Sequence, residues 1–342
     1  MNSKKRRRVT LQDVAQAAGV SRATASLIVR GSPKISAATR EKVLGKMNEL
    51  GYVYDRVAAN LRSKQSTTVG LLITEIANPF FSELLDGITA ELEKEGYTII
   101  LGTTSDSYEK QERLLATMLE NRVAGILWTP VSSSTVKTTK QLVDSQLPVV
   151  QVGREITGST FDYVGIDNRA GADLVISYLV KEGHRRIAYL GGPSASSPWR
   201  ERISSYKQAL LQAGLEVDSS LIVESVATRE GGRKAMAEIL KLESRPTAAF
   251  CFNDIVAIGA MQELKGKGLA PGVDMAIVGF DNVQEASIFT PRLTTVSSFP
   301  RVIGTQAAKL LHQRIDDFNR PAERIILEPE IHIRESSQVR LI

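Results

Sequence analysis

From Val69 onward, short apolar runs alternate with amphipathic stretches, and this alternation restricts the fold more than any other feature of the chain. The runs are VGLLI, YTIIL, AGILW, LPVVQV, YVGI, RIAYL, LIV, AAFCF and AIVGF. Short apolar runs separated by helical spacing are the mark of βαβ units, in which a parallel sheet is covered by helices on both faces. Roughly ten strands exceed what one such sheet usually carries. The segment VGIDN at 164–168 reads as a crossing between lobes, so the expected body is α/β, with two Rossmann-like lobes. At 342 residues and 42% hydrophobic, the chain can fill such cores.

Charge separates the first 65 residues from the rest. They hold 14 Lys or Arg against 4 Asp or Glu, or +10, which leaves −5 for residues 66–342 of a chain whose net charge is +5. A basic head on an acidic body suits a polyanionic partner, although a solvated basic tail would look the same by charge alone. The head also reads as helical. Leu11, Val14, Ala15 and Ala18 recur at helical spacing behind a Thr10 cap with Asp13 three residues on, and Gly19 ends the run. Ser21 can cap a second helix, SRATASLIVR, that faces inward through Ala25, Ile28 and Val29 and outward through Arg22, Ala23, Ser26 and Leu27. After Pro33, Ser36 caps a third, with Val43, Met47 and Leu50 as its stripe and Gly51 as its stop. Two short helices joined by a glycine turn and braced by a third form a helix-turn-helix, whose second helix can enter a major groove; a plain three-helix bundle is the alternative.

The segment VTLQDVAQAAGVSRATASLIV, followed by TREKV, NELGY and RVAANLRSKQS, resembles the head of the LacI/GalR family of bacterial transcriptional regulators, and the likeness continues through the chain. The resemblance places Arg22, Ala23 and Leu27 at base-reading positions and Ser21, Thr24 and Ser26 nearer phosphates. Arginine can take a guanine edge in two hydrogen bonds, whereas Ala23 and Leu27 offer apolar contact to a thymine methyl. Residues 56–68 correspond to a hinge in which VAANL orders on the operator and Leu61 wedges into the minor groove, an insertion that bends the duplex. Leu61 packing on the body is the other reading. Lys4–Arg8 would add nonspecific phosphate attraction. The domains expected are residues 1–55 for DNA, 56–68 for the hinge and 69–342 for effector binding and dimerisation.

Parallel sheets bind ligands beyond the carboxyl ends of their strands, so residues just after the runs are the candidates. These are Asn78, Phe80 and Phe81 after VGLLI, Arg154 after LPVVQV, Asp167 after YVGI, Trp199 and Arg202 after RIAYL, Asn253 and Asp254 after AAFCF, and Asp281 and Asn282 after AIVGF. Carboxylate, amide and guanidinium groups can bracket hydroxyls while an aromatic face covers a sugar ring. One phenylalanine could instead be core, Arg154 and Asp167 surface ion pairs, and Trp199 a loop anchor. The resemblance implies a periplasmic-binding-protein-like fold with further crossings near Thr294–Pro300 and Leu327–Glu330. It also aligns Phe80, Phe81, Arg154, Asp167, Arg202, Asn253 and Asp281 with effector-contacting or adjacent positions. Where purine-binding relatives stack a phenylalanine, this chain has Ala227, and Ser196 and Pro198 replace polar or charged groups. With Trp199 as an aromatic wall, a mono- or disaccharide becomes the expected effector; a purine or other metabolite acting as corepressor is the alternative.

Catalytic readings find little support. His184, His312 and His332 are scattered, Cys251 is the single cysteine, and Gly191-Gly192 is weaker than a dinucleotide fingerprint. No nucleophile elbow, phosphate loop or metal-ligand spacing occurs, so neither cofactor nor metal is expected. No apolar run approaches the ~20 residues of a membrane span, and the basic N-terminus lacks the apolar stretch of a signal peptide. The expectation is a cytoplasmic homodimeric repressor on double-stranded operator DNA, released by its ligand as sugar regulators of the family commonly are. A solute-binding protein and a sugar-modifying enzyme are the competing classes. Dimer rather than tetramer follows from the lack of a long heptad tail before Ile342.

Overall fold

The computed structural model describes residues 9–29, 32–52 and 66–338. Contacts divide the chain into two units, 1–65 and 66–342.

In the first unit, α1 (Leu11–Ala18) opens with a complete capping box between Thr10 and Asp13 and closes on Gly19 at φ +65°, a left-handed conformation glycine adopts without strain. Ser21 caps α2 (Arg22–Val29) by accepting the Thr24 N–H at 3.0 Å, and Ser36 caps α3 (Ala37–Leu50). Val14, Ala15, Ala18, Ala25, Ile28 and Val43 form the buried centre. Small alanines let three short helices approach closely, so the turn from α1 to α2 is fixed by packing as well as by capping.

The second unit contains two six-stranded sheets. The first takes the order β11-β5-β4-β3-β1-β2, from β1 (Thr68–Ile73), β2 (Thr98–Thr103), β3 (Gly125–Trp128), β4 (Val149–Val152), β5 (Asp162–Ile166) and β11 (Arg324–Leu327). The second takes β12-β10-β9-β8-β6-β7, from β6 (Ile187–Leu190), β7 (Ile222–Val223), β8 (Ala248–Cys251), β9 (Ala276–Asp281), β10 (Thr294–Ser297) and β12 (Glu330–His332). Pairing is parallel except between β10 and β12. Helices cover both sheets: α4 (Pro79–Leu92), α5 (Tyr108–Glu120), α6 (Val136–Asp144) and α12 (Pro300–Asp316) belong to the first lobe. The second carries α7 (Asn168–Lys181), α8 (Ser197–Gln212), α9 (Arg229–Leu240), α10 (Asp254–Gly266) and the short α11 (Gln284–Ile288).

The chain passes between lobes after β5, after β10 and after β11, where the sequence and the resemblance place crossings. All nine apolar runs lie at strands. Three strands go beyond them: TTVS, RIIL and EIH at β10, β11 and β12. β11 and β12 are short edge strands whose residues are exposed or half-buried, and β10 fills its buried places with threonine and serine.

Helices α4 and α12 pack at the first lobe with glycine on each side. A Cβ on Gly87 would stand 2.1 Å from the Arg301 carbonyl oxygen, and one on Gly304 2.2 Å from that of Leu84. Backbone cannot yield as a flexible side chain can. Gly304→Ala is therefore expected to cost about 1–3 kcal/mol of stability. Urea unfolding would show a lower midpoint at unchanged slope; an unshifted midpoint would contradict the contact.

Candidate functional site

On the first unit, α2 presents Arg22 and Ala23 to solvent, with Leu27 39% exposed although it is large and apolar. Ser21 and Thr24 share a 2.9 Å hydroxyl contact at the start of α2, and Thr24 and Ser26 are half-buried. Thus Arg22, Ala23 and Leu27 make one outward surface, and the hydroxyls flank the helix N-terminus, where backbone N–H groups favour phosphate. Leu61 and Lys4–Arg8 lie outside the described residues.

In the second unit, strand ends from both lobes converge on a cleft. Asn78 caps α4 by accepting the Phe80 N–H at 3.0 Å, which fixes the direction of Phe80 and Phe81. Their rings meet edge to face with centroids 5.1 Å apart; Phe81 is buried, Phe80 half-buried, and both line the cleft. Facing them, the second lobe supplies Arg202, Asn253 and Asp281, with Pro198, Ala227 and Phe252 between. Asn253 caps α10 through Val256 at 2.9 Å. The space between these groups is about 80 Å³. Small-molecule sites typically offer ~300–1,000 Å³, so admitting a ring requires the lobes to part about their three crossings.

The polar wall is strongly organised. Arg202 stacks over the Phe280 ring at 3.5 Å and beside Phe252 at 4.9 Å. It donates from Nε to Asn168 Oδ1 at 3.0 Å and from a terminal nitrogen to the Phe252 carbonyl. Asp281 accepts from the Ser298 hydroxyl at 3.3 Å. Arg202 and Asp281 are not hydrogen-bonded to each other, and both line the cleft. Burial pushes the Asp281 carboxyl up to about 7, against the pull of Arg202 and of the Ser298 hydrogen bond and with a further push from Glu83. Burial likewise lowers Arg202, and Asp281 opposes that shift.

Asp281 also sits at φ +117° and Asn282 at +56°. Conformations of this kind cost of order 1–3 kcal/mol and persist where surroundings enforce them. The enforcement comes from Asp254, which accepts the Val283 N–H at 2.9 Å and the Thr295 hydroxyl at 2.5 Å, and from Arg334, which holds Asn282 Oδ1 at 2.7 Å. Gly279 makes room, since a Cβ there would lie 2.1 Å from Asp254 Oδ1. Burial and the neighbouring Asp281 charge raise the Asp254 carboxyl well above its usual range.

Three candidates are engaged by the protein itself. Arg154 borders the cleft but is drawn to Asp106 at 2.7 Å and to Ser132 at 3.2 Å, so its charge is already matched. Asp167 caps α7 through the Ala170 N–H at 2.9 Å and is not among the cleft-lining residues. Trp199 donates to the Gly191 carbonyl at 3.1 Å and packs edge-on against Tyr189, inside its own lobe. It anchors a loop and lends the cleft no aromatic wall. Sequence reasoning did not find Ser298, Asn168, Phe252 or Phe280. The serine follows a strand that has no apolar run, and Phe252 and Phe280 belong to runs that read as core.

Elsewhere, His184 is buried against Thr247 at 2.8 Å, and burial pushes the Cys251 thiol up inside β8. Among the described residues no cluster of His, Cys, Asp or Glu could hold a metal ion.

An exposed helix-turn-helix on one unit and a cleft lined by buried charges on the other define a DNA-binding regulator with a ligand-sensing body. The chain belongs to the LacI family: residues 10–55 match the profile described as "Bacterial regulatory proteins, lacI family", and residues 66–335 that of "Periplasmic binding proteins and sugar binding domain of LacI family". It is a repressor rather than an enzyme. The HTH-type transcriptional repressor PurR of Vibrio atlanticus is 36% identical over 324 residues, 94% of this chain and 96% of that protein. Among solved structures, the transcriptional regulator CelR–cellobiose complex is 32% identical, covers 96% of this chain and 100% of its own, and gives a TM-score of 0.73. The lac repressor dimer bound to operator and the anti-inducer ONPF is 26% identical over 97% of this chain and 100% of its own, at a TM-score of 0.84.

Proposed function

We propose that two copies of this chain bind a near-palindromic operator through paired α2 helices, and that a small ring-shaped metabolite between the lobes sets how tightly they hold it. Residues 1–55 then read DNA, 56–68 act as hinge and 69–342 bind effector and partner copy; the target is double-stranded operator DNA in the cytoplasm. The carrying observation is the arrangement of Arg202 and Asp281, two buried charges of the second lobe that are not hydrogen-bonded to each other and that face Phe80 and Phe81 of the first. A ring lodged there touches both lobes, so it favours one lobe arrangement by its differential affinity and shifts the DNA equilibrium by the same amount.

A purine acting as corepressor has the support of the full-length similarity to PurR. A sugar acting as inducer is the second reading. Ala227 and Pro198 on the cleft wall can neither stack on a base nor donate to its edge, and the similar CelR structure is a cellobiose complex. Trp199 no longer supports it.

Thermal shift with hypoxanthine, guanine and a set of mono- and disaccharides tests both readings. At a hundredfold excess over Kd, the true effector is expected to add about 2.7 kcal/mol of stability, and the same compound should change operator mobility. Purine stabilisation that strengthens the operator complex selects the first reading; saccharide stabilisation that weakens it selects the second. A protein that no metabolite stabilises and that prefers no duplex over random sequence would refute the proposal.

A further inference from the structure

We infer that a second subsite beside the cleft, between Lys137 of the first lobe and Arg200 of the second, takes the phosphate group of a phosphorylated effector; this deepens the preceding reading and rests on it. A groove of about 510 Å³ opens there, bordered by Arg154, which also borders the cleft. Arg154 is the residue that cleft and groove share, so a ligand whose ring faces Asp281 reaches the groove past this guanidinium once the lobes part.

Charge is what singles this groove out. Four charged side chains line it: Lys137, Arg154, Glu155 and Arg200. Arg154 is matched by Asp106 at 2.7 Å, and Glu155 by Arg324 at 2.6 Å. Lys137 has no acidic partner among the described residues, and Arg200 donates to the Ala195 carbonyl, which carries no charge. Two unmatched cations thus border one groove from opposite lobes. A dianion between them gives both a counter-charge, and its oxygens accept charge-assisted hydrogen bonds from both.

The groove also supplies neutral donors. Ser197 is 8% exposed; its Oγ accepts the Glu155 N–H at 2.9 Å, a bond between lobes, and its own proton has no acceptor among the described residues. Helices α6 and α8 both begin at the groove, and Thr135 ahead of α6 makes no side-chain cap; the Thr138 N–H is taken by the Thr135 carbonyl at 2.9 Å, which leaves those of Val136 and Lys137 to an acceptor. Two cations and hydroxyl and N–H donors suit a tetrahedral phosphate, which presents several oxygens, better than a planar carboxylate with two.

Calorimetry on the full chain at constant ionic strength separates the possibilities. The probes are inorganic phosphate, ribose 5-phosphate and inosine monophosphate, with ribose and hypoxanthine as their uncharged counterparts. At least one phosphorylated compound is expected to bind tenfold or more tightly than its counterpart and than inorganic phosphate. The double substitution Lys137→Ser and Arg200→Ser should remove that advantage while the unliganded melting temperature stays in place, because both side chains are exposed. Asp281→Asn should weaken the phosphorylated compounds and leave inorganic phosphate unchanged. The inference is overturned if no phosphate-bearing probe binds by ~10 mM, an affinity near −2.7 kcal/mol, if the double variant binds them as before, or if inorganic phosphate binds as tightly as the best phosphorylated compound. Failure of the preceding reading looks different: no compound would then show Asp281-dependent binding, whatever the double variant does.

Discussion

Replacing Asp281 with alanine is expected to weaken effector binding at least 100-fold, about 2.7 kcal/mol, while operator affinity without effector stays nearly unchanged. The argument begins with burial. Asp281 is 6% exposed and Arg202 5%. Neither charge retains much water, so each ligand hydrogen bond to them forms where little solvent competes, and loss of one partner leaves the other charge uncompensated. Arg202→Ala should do the same and also remove the cation over Phe280. Recognition residues on α2 belong to the other unit, so DNA binding without ligand should persist. A titration in which both variants keep the wild-type effector affinity would take the two residues out of the site.

The same carboxyl gives effector affinity a pH dependence. Asp281 is lifted from 3.8 to about 7 by burial, so between those values the folded protein holds a proton that the unfolded chain has released. Stability then falls as pH rises through this window, because the native state binds more protons than the unfolded one. A ligand donating hydrogen bonds to Asp281 selects the ionised form and draws the other way. Its affinity should drop roughly tenfold per pH unit below about 7 and level off above it, one unit of pKa being worth about 1.4 kcal/mol. In Asp281→Asn the profile should be flat.

Much of this architecture could be read from residue order. Parallel strands buried on both faces need continuous apolar runs, so β1, β3 to β6, β8 and β9 announced themselves, and the edge strands β2 and β7 carry such runs too; caps marked the starts of α1 to α3, and glycine stops the ends of α1 and α3. Those signals are local. What stayed hidden depends on distant partners: Asp254 reaches Val283 and Thr295, and Ser298 reaches Asp281, across separations that no periodicity encodes. Trp199 shows the converse, since a tryptophan after a strand suits a ligand wall, yet its indole N–H turns to the Gly191 carbonyl. Arg154 followed a strand as expected, but the Asp106 that matches its charge lies 48 residues away in sequence.

Raising monovalent salt from 50 to 200 mM is expected to weaken operator binding by about 10³-fold or more if six to ten phosphates are contacted across the dimer. The head's +10 charge on its first 65 residues supplies the cations, and each phosphate contact releases condensed counterions into bulk solution. Within that electrostatic grip, Arg22 has a separate role. It stands exposed on α2 beside Ala23 and Leu27, with no acidic partner among the described residues, so its guanidinium is available to a base edge. Arg22→Ala should cost about 1–3 kcal/mol on the cognate operator and relax the preference at one base pair, while the salt slope changes by no more than about one. A phosphate-contacting lysine would behave oppositely, lowering affinity equally for operator and random duplex. Fluorescence anisotropy at several salt concentrations, on operator and on scrambled duplex, distinguishes the two. If Arg22→Ala weakened both duplexes alike and flattened the salt dependence, α2 would be gripping backbone there, and sequence reading would have to reside elsewhere on the head.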